Sequence, residues 1–486
     1  MRITLEFDDF QRAYRQLEAA PLGYYKEIYA DEMRIFGQNL NENIESVLDH
    51  LRQKTYRPST AYKIYLPKKD NLVRPITVLT FVDLLIYQAI ANVVADTFHE
   101  RLSRYYNKQV FGNLHSNQGT SNKYFFTYWK KQWKTFERTT KAIYNKGFVY
   151  LLEFDLASFY DTVDHSLLFN RLMAGGVGAE IIELLEKQLK RWTVDGSREN
   201  PAFAHGIPQG MQASGIFAEI YLEYIDEKMC AAMRQNRDIK YLRYVDDIRL
   251  FAKNEYNATR YLAYLDLLSK DIGLIPQGHK IAITEIKDID AFLKNNRGFS
   301  MMDYQMKRTG TLSDHHNRVL LDKLKQTMKN ETFDKTVMKF GLYRVWGDHE
   351  LKELLIAHSM KVTPMLEDVC YYLRKHFLSD PLVQQWAVAS AREEHPLYLW
   401  KIAVLFKFFY EIIPFDATLL ETARDHKFYW YVYYWMLPWL AYQRADLLPD
   451  LKDHDNSIVH QRIVRLKESS ASENQKKEVV SFIPAS

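Results

Sequence analysis

The chain has 486 residues, enough for two or three domains, and at 47% hydrophobic and 26% charged it reads as globular, with 33 Tyr, 27 Phe and 9 Trp making it aromatic-rich. A net charge of +4 permits nucleic acid as a partner without demanding it. The two cysteines, Cys230 and Cys370, exclude a disulfide framework and a Cys-based zinc site and fit a reducing, cytoplasmic setting.

Residues 1 to about 60 show helical periodicity, with Phe10, Tyr14 and Leu17 and then Ile44, Val47, Leu48 and Leu51 on repeating faces. Acidic residues stand where a signal peptide needs an unbroken apolar run, so no secretion is expected. Tyr56-Arg57-Pro58 ends the helical preface, because a residue before proline avoids the helical region. Two short β-like runs follow between Ala61 and Val78, joined by a cationic turn in which Lys68, Lys69 and Arg74 could approach one anion. Phe81 to Phe98 then reads as an apolar helix.

From Asn122 to Lys146 seven Lys or Arg face a single acid, Glu137. Interleaved Trp129, Trp133 and Phe136 allow two readings, a nucleic-acid groove or an amphipathic helix with those three aromatics in the core; the helix is preferred. Gly147–Phe154 is a near-continuous apolar run of strand length, and it ends on a carboxylate, Asp155. Helices are expected over 166–172 and 179–192. The small residues of Gly206-Ile-Pro-Gln-Gly-Met-Gln-Ala-Ser214 let backbone approach a ligand closely before a helix over 215–233.

Tyr241–Tyr244 and Ile248–Ala252 are rich in aromatic and β-branched residues, which predicts a hairpin with Val245-Asp246-Asp247 at its tip. Two adjacent aspartates there suit a hard divalent cation, although Asp is also common in plain surface turns. A helix over 256–272 and a turn carrying Lys280 lead into a strand at 281–284. After about Leu312 the pattern is helical almost throughout, compatible with a stack of helix pairs. The apolar stretch Phe428–Tyr442 falls short of the ~20 residues that span a bilayer and contains Pro438, so it reads as a buried helix and no membrane partner is expected. The residues from about Lys467 are polar and expected to fray.

Three carboxylates at the ends of β elements, Asp155, Asp246 and Asp247, can bind two metal ions for an in-line phosphoryl transfer. Their order, with the cationic turn first and the Gly-rich segment between, resembles a reverse transcriptase over roughly residues 55–300. Tyr244-Val-Asp-Asp247 resembles that family's catalytic box, Phe154-Asp-Leu-Ala-Ser-Phe-Tyr160 its first catalytic motif, Gly206-Ile-Pro-Gln-Gly-Met its Pro-Gln-Gly motif, and Arg74-Pro-Ile-Thr-Val-Leu-Thr its fingers segment.

The resemblance implies an α+β right-hand polymerase: a helical extension over 1–60, fingers and an antiparallel palm over 61–305, and an all-helical C-terminal domain over 306–486. It implies that Asp155, Asp246 and Asp247, with the Leu156 carbonyl, hold two Mg²⁺ ions, Mn²⁺ being the alternative. It implies that Lys68, Lys69 and Arg74 neutralise the triphosphate of a dNTP, that Tyr160 excludes a ribose 2′-hydroxyl, and that Gln209 and Gly210 lie by the incoming nucleotide. Lys280 matches a lysine proposed to protonate departing pyrophosphate; an exposed turn lysine is the alternative. His165 reads as structural.

Trp129-Lys-Lys-Gln-Trp133 and the long helical C-terminal region resemble the bacterial abortive-infection and defence-associated reverse transcriptases. That class implies antiphage function, an RNA template, a DNA product and priming by protein or by a noncoding RNA. A homo-oligomer is compatible with it. Two other readings stand beside it: an RNA-binding polymerase-like scaffold, and a ribonuclease in the helical region using Arg344 and His349.

Overall fold

A computed structural model describes residues 4–20, 24–68, 72–116, 123–198, 200–294, 312–330, 334–393 and 397–471. Lys69 lies outside these residues, as do the expected boundary at 305/306 and the chain beyond 471. The chain divides into two units. Met1–Tyr62, Thr77–Asp195 and Glu199–Arg297 form the first, and Lys63–Ile76, Gly196–Arg198 and Gly298–Ser486 form the second.

The first unit is built on a five-stranded sheet in the order β3-β5-β6-β4-β7. Its strands are β3 (Val110–Phe111), β4 (Tyr150–Phe154), β5 (Ile239–Tyr244), β6 (Asp247–Ala252) and β7 (Ala282–Glu285). All neighbours are antiparallel except β3, which runs parallel to β5. A two-residue parallel strand has too little sequence to announce itself, and Val110–Phe111 was not anticipated as a strand.

Alternation along the strands splits the apolar residues between two cores. Leu152, Phe154, Tyr241, Ile248 and Leu250 join the large core with the helices Gln212–Gln235 and Glu255–Asp271, whereas Leu151, Leu242 and Phe251 join Phe111, Phe136 and Ile143. The helix Trp129–Tyr144 packs on β3 and β5. Phe136 is buried and Trp133 lies edge-on to Tyr244 at 5.0 Å, but Trp129 is 58% exposed, which corrects the reading that placed all three aromatics in the core. Position 129 is the first residue of the helix, before the turn that reaches the sheet.

The helix Phe81–Ser103 starts on Thr80, whose hydroxyl accepts from the Asp83 amide. By length and apolarity it could cross a membrane, and it packs here between the helices Phe7–Ala19 and Gln212–Gln235, which takes up that apolar surface.

In the second unit, helices follow one another from Asp314–Lys329 to Ser457–Ala471. Several begin on an aspartate, Asp334, Asp348, Asp380 or Asp416, whose carboxylate accepts the first free amides of the helix. Leu399–Phe409 packs against Leu366–Phe377, Pro381–Ala391 and Trp430–Gln443, so successive helices bury one another as in a stacked array. The same unit includes most of the two-stranded sheet formed by β1 (Tyr62–Pro67) and β2 (Val73–Val78).

Candidate active site

The turn between β5 and β6 has two central residues, Val245 and Asp246, because Tyr244 pairs directly with Asp247. Val245 has φ +56, a backbone region that a β-branched residue occupies only under constraint. The constraint lies beneath it. Arg243, fully buried, donates through Nη1 to the Val245 carbonyl at 2.7 Å and through Nε to Asp226 Oδ1 at 2.8 Å, and its Nη2 lies 2.9 Å from Glu219 Oε2. The Tyr241 hydroxyl donates to the same Asp226 oxygen at 2.7 Å. Glu219 and Asp226 stand seven residues apart on the helix Gln212–Gln235, hence on one face, and point at the underside of β5.

Burial pushes Glu219 up to about 7, with Asp226 and Asp246 adding to it against the pull of Arg243. No sequence motif marked this network. A buried arginine in an apolar strand, opposite a helix with two acids at i and i+7, is the signal that could have found it.

Asp155 directly follows β4, whose Phe154 pairs with Ile248. Extending that register by one residue sets Asp155 opposite Asp247, and cross-strand partners share a face. The loop before β7 runs alongside: Ala157 donates to the Ile275 carbonyl and Gln277 to that of Asp155, both at 2.8 Å, bonds that bypass the Leu156 carbonyl. The same loop brings Lys280 Nζ to 2.9 Å from Asp155 Oδ2. Asp247 reaches solvent at the hairpin, yet desolvation, followed by the Asp246 and Asp155 carboxylates, raises it to about 6. Three carboxylates therefore share one field.

Among the described residues no three acidic, histidine or cysteine groups are gathered closely enough to hold a metal ion as they stand. The crowding that lifts Asp247, and the ammonium that Asp155 has drawn in, nonetheless mark a place where positive charge is favoured, and the oxygen donors suit a hard divalent cation.

Tyr160 lies in this field as well. Burial first, then the Asp246 and Glu219 carboxylates, push its phenol above the ordinary value, and its hydroxyl bonds the side chain of Asn113. Ser158, at φ +46, turns the chain after Asp155 into the short helix Phe159–Thr162. The Gly206–Ser214 segment threads against it: Ile207 donates to the Tyr160 carbonyl and Gly206 to that of Val163, each at 2.8 Å. A Cβ on Gly206, at φ +99, would meet the Asp161 carbonyl oxygen at 3.3 Å, so glycine is required there. The Gln209 carbonyl accepts from Thr77, and Gly210 is exposed at φ +106. His165 Nε2 meets the Gly206 carbonyl at 2.7 Å, a structural contact.

Lys68 and Arg74 lie in the second unit, on either side of the tip of the β1–β2 hairpin. Arg344 folds its guanidinium over the Phe340 ring at 3.9 Å and donates to the Phe340 carbonyl, while the His349 ring packs edge-on to Phe377.

A model of the family described as reverse transcriptase (RNA-dependent DNA polymerase) matches residues 66–319, just over half of the chain. The group II intron-encoded protein LtrA of Lactococcus lactis subsp. cremoris is 24% identical over 227 residues, which cover 46% of this chain and 34% of LtrA. The chain thus spans about a third of the curated relative it matches. Among solved structures, apo telomerase from Candida Tropicalis aligns with 94% of this chain and 85% of its own at 12% identity and a TM-score of 0.35. A partial Cas6-RT-Cas1–Cas2 complex aligns with 54% of this chain and 41% of its own at 16% identity and a TM-score of 0.30. Overlaps this loose carry no weight.

Proposed function

Because the chain belongs to the reverse transcriptase family, we propose that it is an RNA-directed DNA polymerase that adds dNTPs at the site formed by Asp155, Asp246 and Asp247. The observation that carries this reading is the β4–β6 register, which sets Asp155 opposite Asp247 with Asp246 beside it at a constrained turn. When bound there, two divalent cations, Mg²⁺ or Mn²⁺, supply charge to the attacking and leaving oxygens. The 3′-hydroxyl loses its proton to solvent and its oxygen forms the new bond to the α-phosphorus as the bond to the bridging oxygen breaks. Lys280 is proposed to give the departing pyrophosphate a proton, a role supported by its ion pair with Asp155. In this reading Tyr160 excludes a ribose 2′-hydroxyl, Gln209 and Gly210 border the incoming nucleotide, and Lys68, Lys69 and Arg74 neutralise its triphosphate.

The partners proposed are dNTPs, an RNA template and the DNA product, with priming by protein or by a dedicated noncoding RNA. Antiphage defence by abortive infection is the biological setting proposed, supported by the resemblance of Trp129-Lys-Lys-Gln-Trp133 and of the helical C-terminal region to that class. Purified protein incubated with Mg²⁺, labelled dNTPs and its co-purifying nucleic acid should form product that Asp246→Ala abolishes. Failure to incorporate on any RNA or DNA template would sink the polymerase reading, and phage protection retained by Asp246→Ala would favour the scaffold reading instead.

A further inference from the structure

A two-stranded hairpin is marginally stable by itself, so something must hold β1 and β2. At the start of β2, Leu72 is 55% and Val73 42% exposed. Beyond the burial of Ile64, Ile76 and Val78, one further anchor is a cation–aromatic stack on the Tyr65 side chain. Arg198 places its guanidinium 5.5 Å from the Tyr65 ring centroid and 5.2 Å from that of Phe428, with the two rings 6.0 Å apart. The stack thus joins three stretches of the second unit that are far apart in sequence. Two residues beyond Phe428, the buried Trp430 donates its indole N–H to the Lys63 carbonyl at 3.4 Å. Trp430 opens the helix Trp430–Gln443 and Phe428 lies in the 3₁₀ turn Lys427–Tyr429 before it, while Tyr65 and Lys63 lie on β1, a few residues before Lys68. A cation between two aromatic faces fixes orientation as well as distance, because the guanidinium plane and both rings must stay in register.

We propose that Arg198, Phe428 and Trp430 are positioning residues for nucleotide binding: the C-terminal helices set the orientation of the β1–β2 hairpin and thereby of Lys68 and Arg74. The inference rests on the polymerase reading for its consequence, since the hairpin matters to activity only if those cations meet a triphosphate. It assigns the helical region a part in catalysis that needs no second active site there. A hairpin released from the stack must be re-ordered each time a nucleotide binds, which weakens substrate binding and leaves the chemical step nearly unchanged.

Arg198 and Phe428 reach solvent, so their substitution should leave the fold intact. Arg198→Ala and Phe428→Ala should raise the KM for dNTP by roughly three- to tenfold, the loss expected for one or two cation–π contacts, with kcat within about twofold. Phe428→Tyr, which keeps a ring in the stack, should restore the wild-type KM. Hydrogen–deuterium exchange over residues 63–76 should quicken in both alanine variants and not in Phe428→Tyr. Unchanged KM together with unchanged exchange would overturn the inference, as would an equal fall in kcat and kcat/KM at constant KM. If wild-type protein shows no incorporation that Asp246→Ala removes, the polymerase reading fails and the nucleotide role fails with it. Exchange over 63–76 still decides the anchor separately.

Discussion

Arg243 reaches two residues along the chain to donate to the carbonyl of Val245, 2.7 Å away, while Asp226 and Glu219 hold its other nitrogens. A residue with no exposure to substrate thus holds the turn that carries Asp246. The left-handed backbone at Val245 persists because this bond and the two flanking strands over-determine it.

Removing Arg243 strands two buried carboxylates. Arg243→Ala is expected to destabilise the protein by about 3–5 kcal/mol, read from urea denaturation. Arg243→Lys keeps a charge but lacks the fork that reaches Asp226 and Val245 together. It should cost roughly 1–2 kcal/mol in the same titration and lower dNTP incorporation by about tenfold or more, because the turn loses its tether.

Gly112 backs the same turn. It has φ +73, and a Cβ there would lie 2.8 Å from Val245 Cγ2 and 3.2 Å from the Tyr244 ring. Gly112→Ala should destabilise by about 1–2 kcal/mol and depress incorporation. Val245→Ala removes the closest clash and leaves the backbone cost, so the double variant should recover part of the loss. A double-mutant cycle is expected to return a coupling of about 1 kcal/mol.

Acid should weaken the first unit through His115. The buried imidazole sits among Phe125, His99, Arg12 and Asp96, and burial lowers it from 6.5 to about 4 against the pull of Asp96. Between those values the unfolded chain binds the extra proton. Stability is therefore full above about pH 6.5 and falls as pH drops toward 4, by up to about 3 kcal/mol. Urea titrations from pH 7 to pH 4 should show that slope in the wild type and a shallower one in His115→Gln.

Tyr160 offers a separate test of sugar discrimination. Its ring packs against Phe159 and its hydroxyl is tied to Asn113, so the ring is held in place. Tyr160→Ala should bring ribonucleotide incorporation about 10–200-fold closer to that of deoxynucleotides, and Tyr160→Phe should leave discrimination near wild type. Competition between paired rNTP and dNTP substrates would measure both.

Much of the palm could be read from the chain because its signals are local. A carboxylate ending an apolar strand, as at Asp155, and an Asp pair between two β-branched runs, as at Asp246 and Asp247, show in a window of ten residues. Arg243 with Glu219 and Asp226 did not show, since the meaning of each depends on a partner brought close only by the packing of the helix Gln212–Gln235 on β5. Trp129 was misjudged for a related reason. Periodicity assigns a face to a helix but does not say how far the neighbouring sheet extends along it. The association of β1 with the C-terminal helices, through Tyr65, Arg198 and Phe428, is likewise a tertiary fact.

The ladder between β4 and β6 acts as a ruler for the chemistry. Asp155 meets Asp247 only because five consecutive pairs, from Tyr150 with Ala252 to Phe154 with Ile248, fix the count. A single residue inserted into either strand would turn one carboxylate to the opposite face of the sheet and carry the apolar residues of that strand out of their cores. Length can therefore hardly be added at all in those two strands.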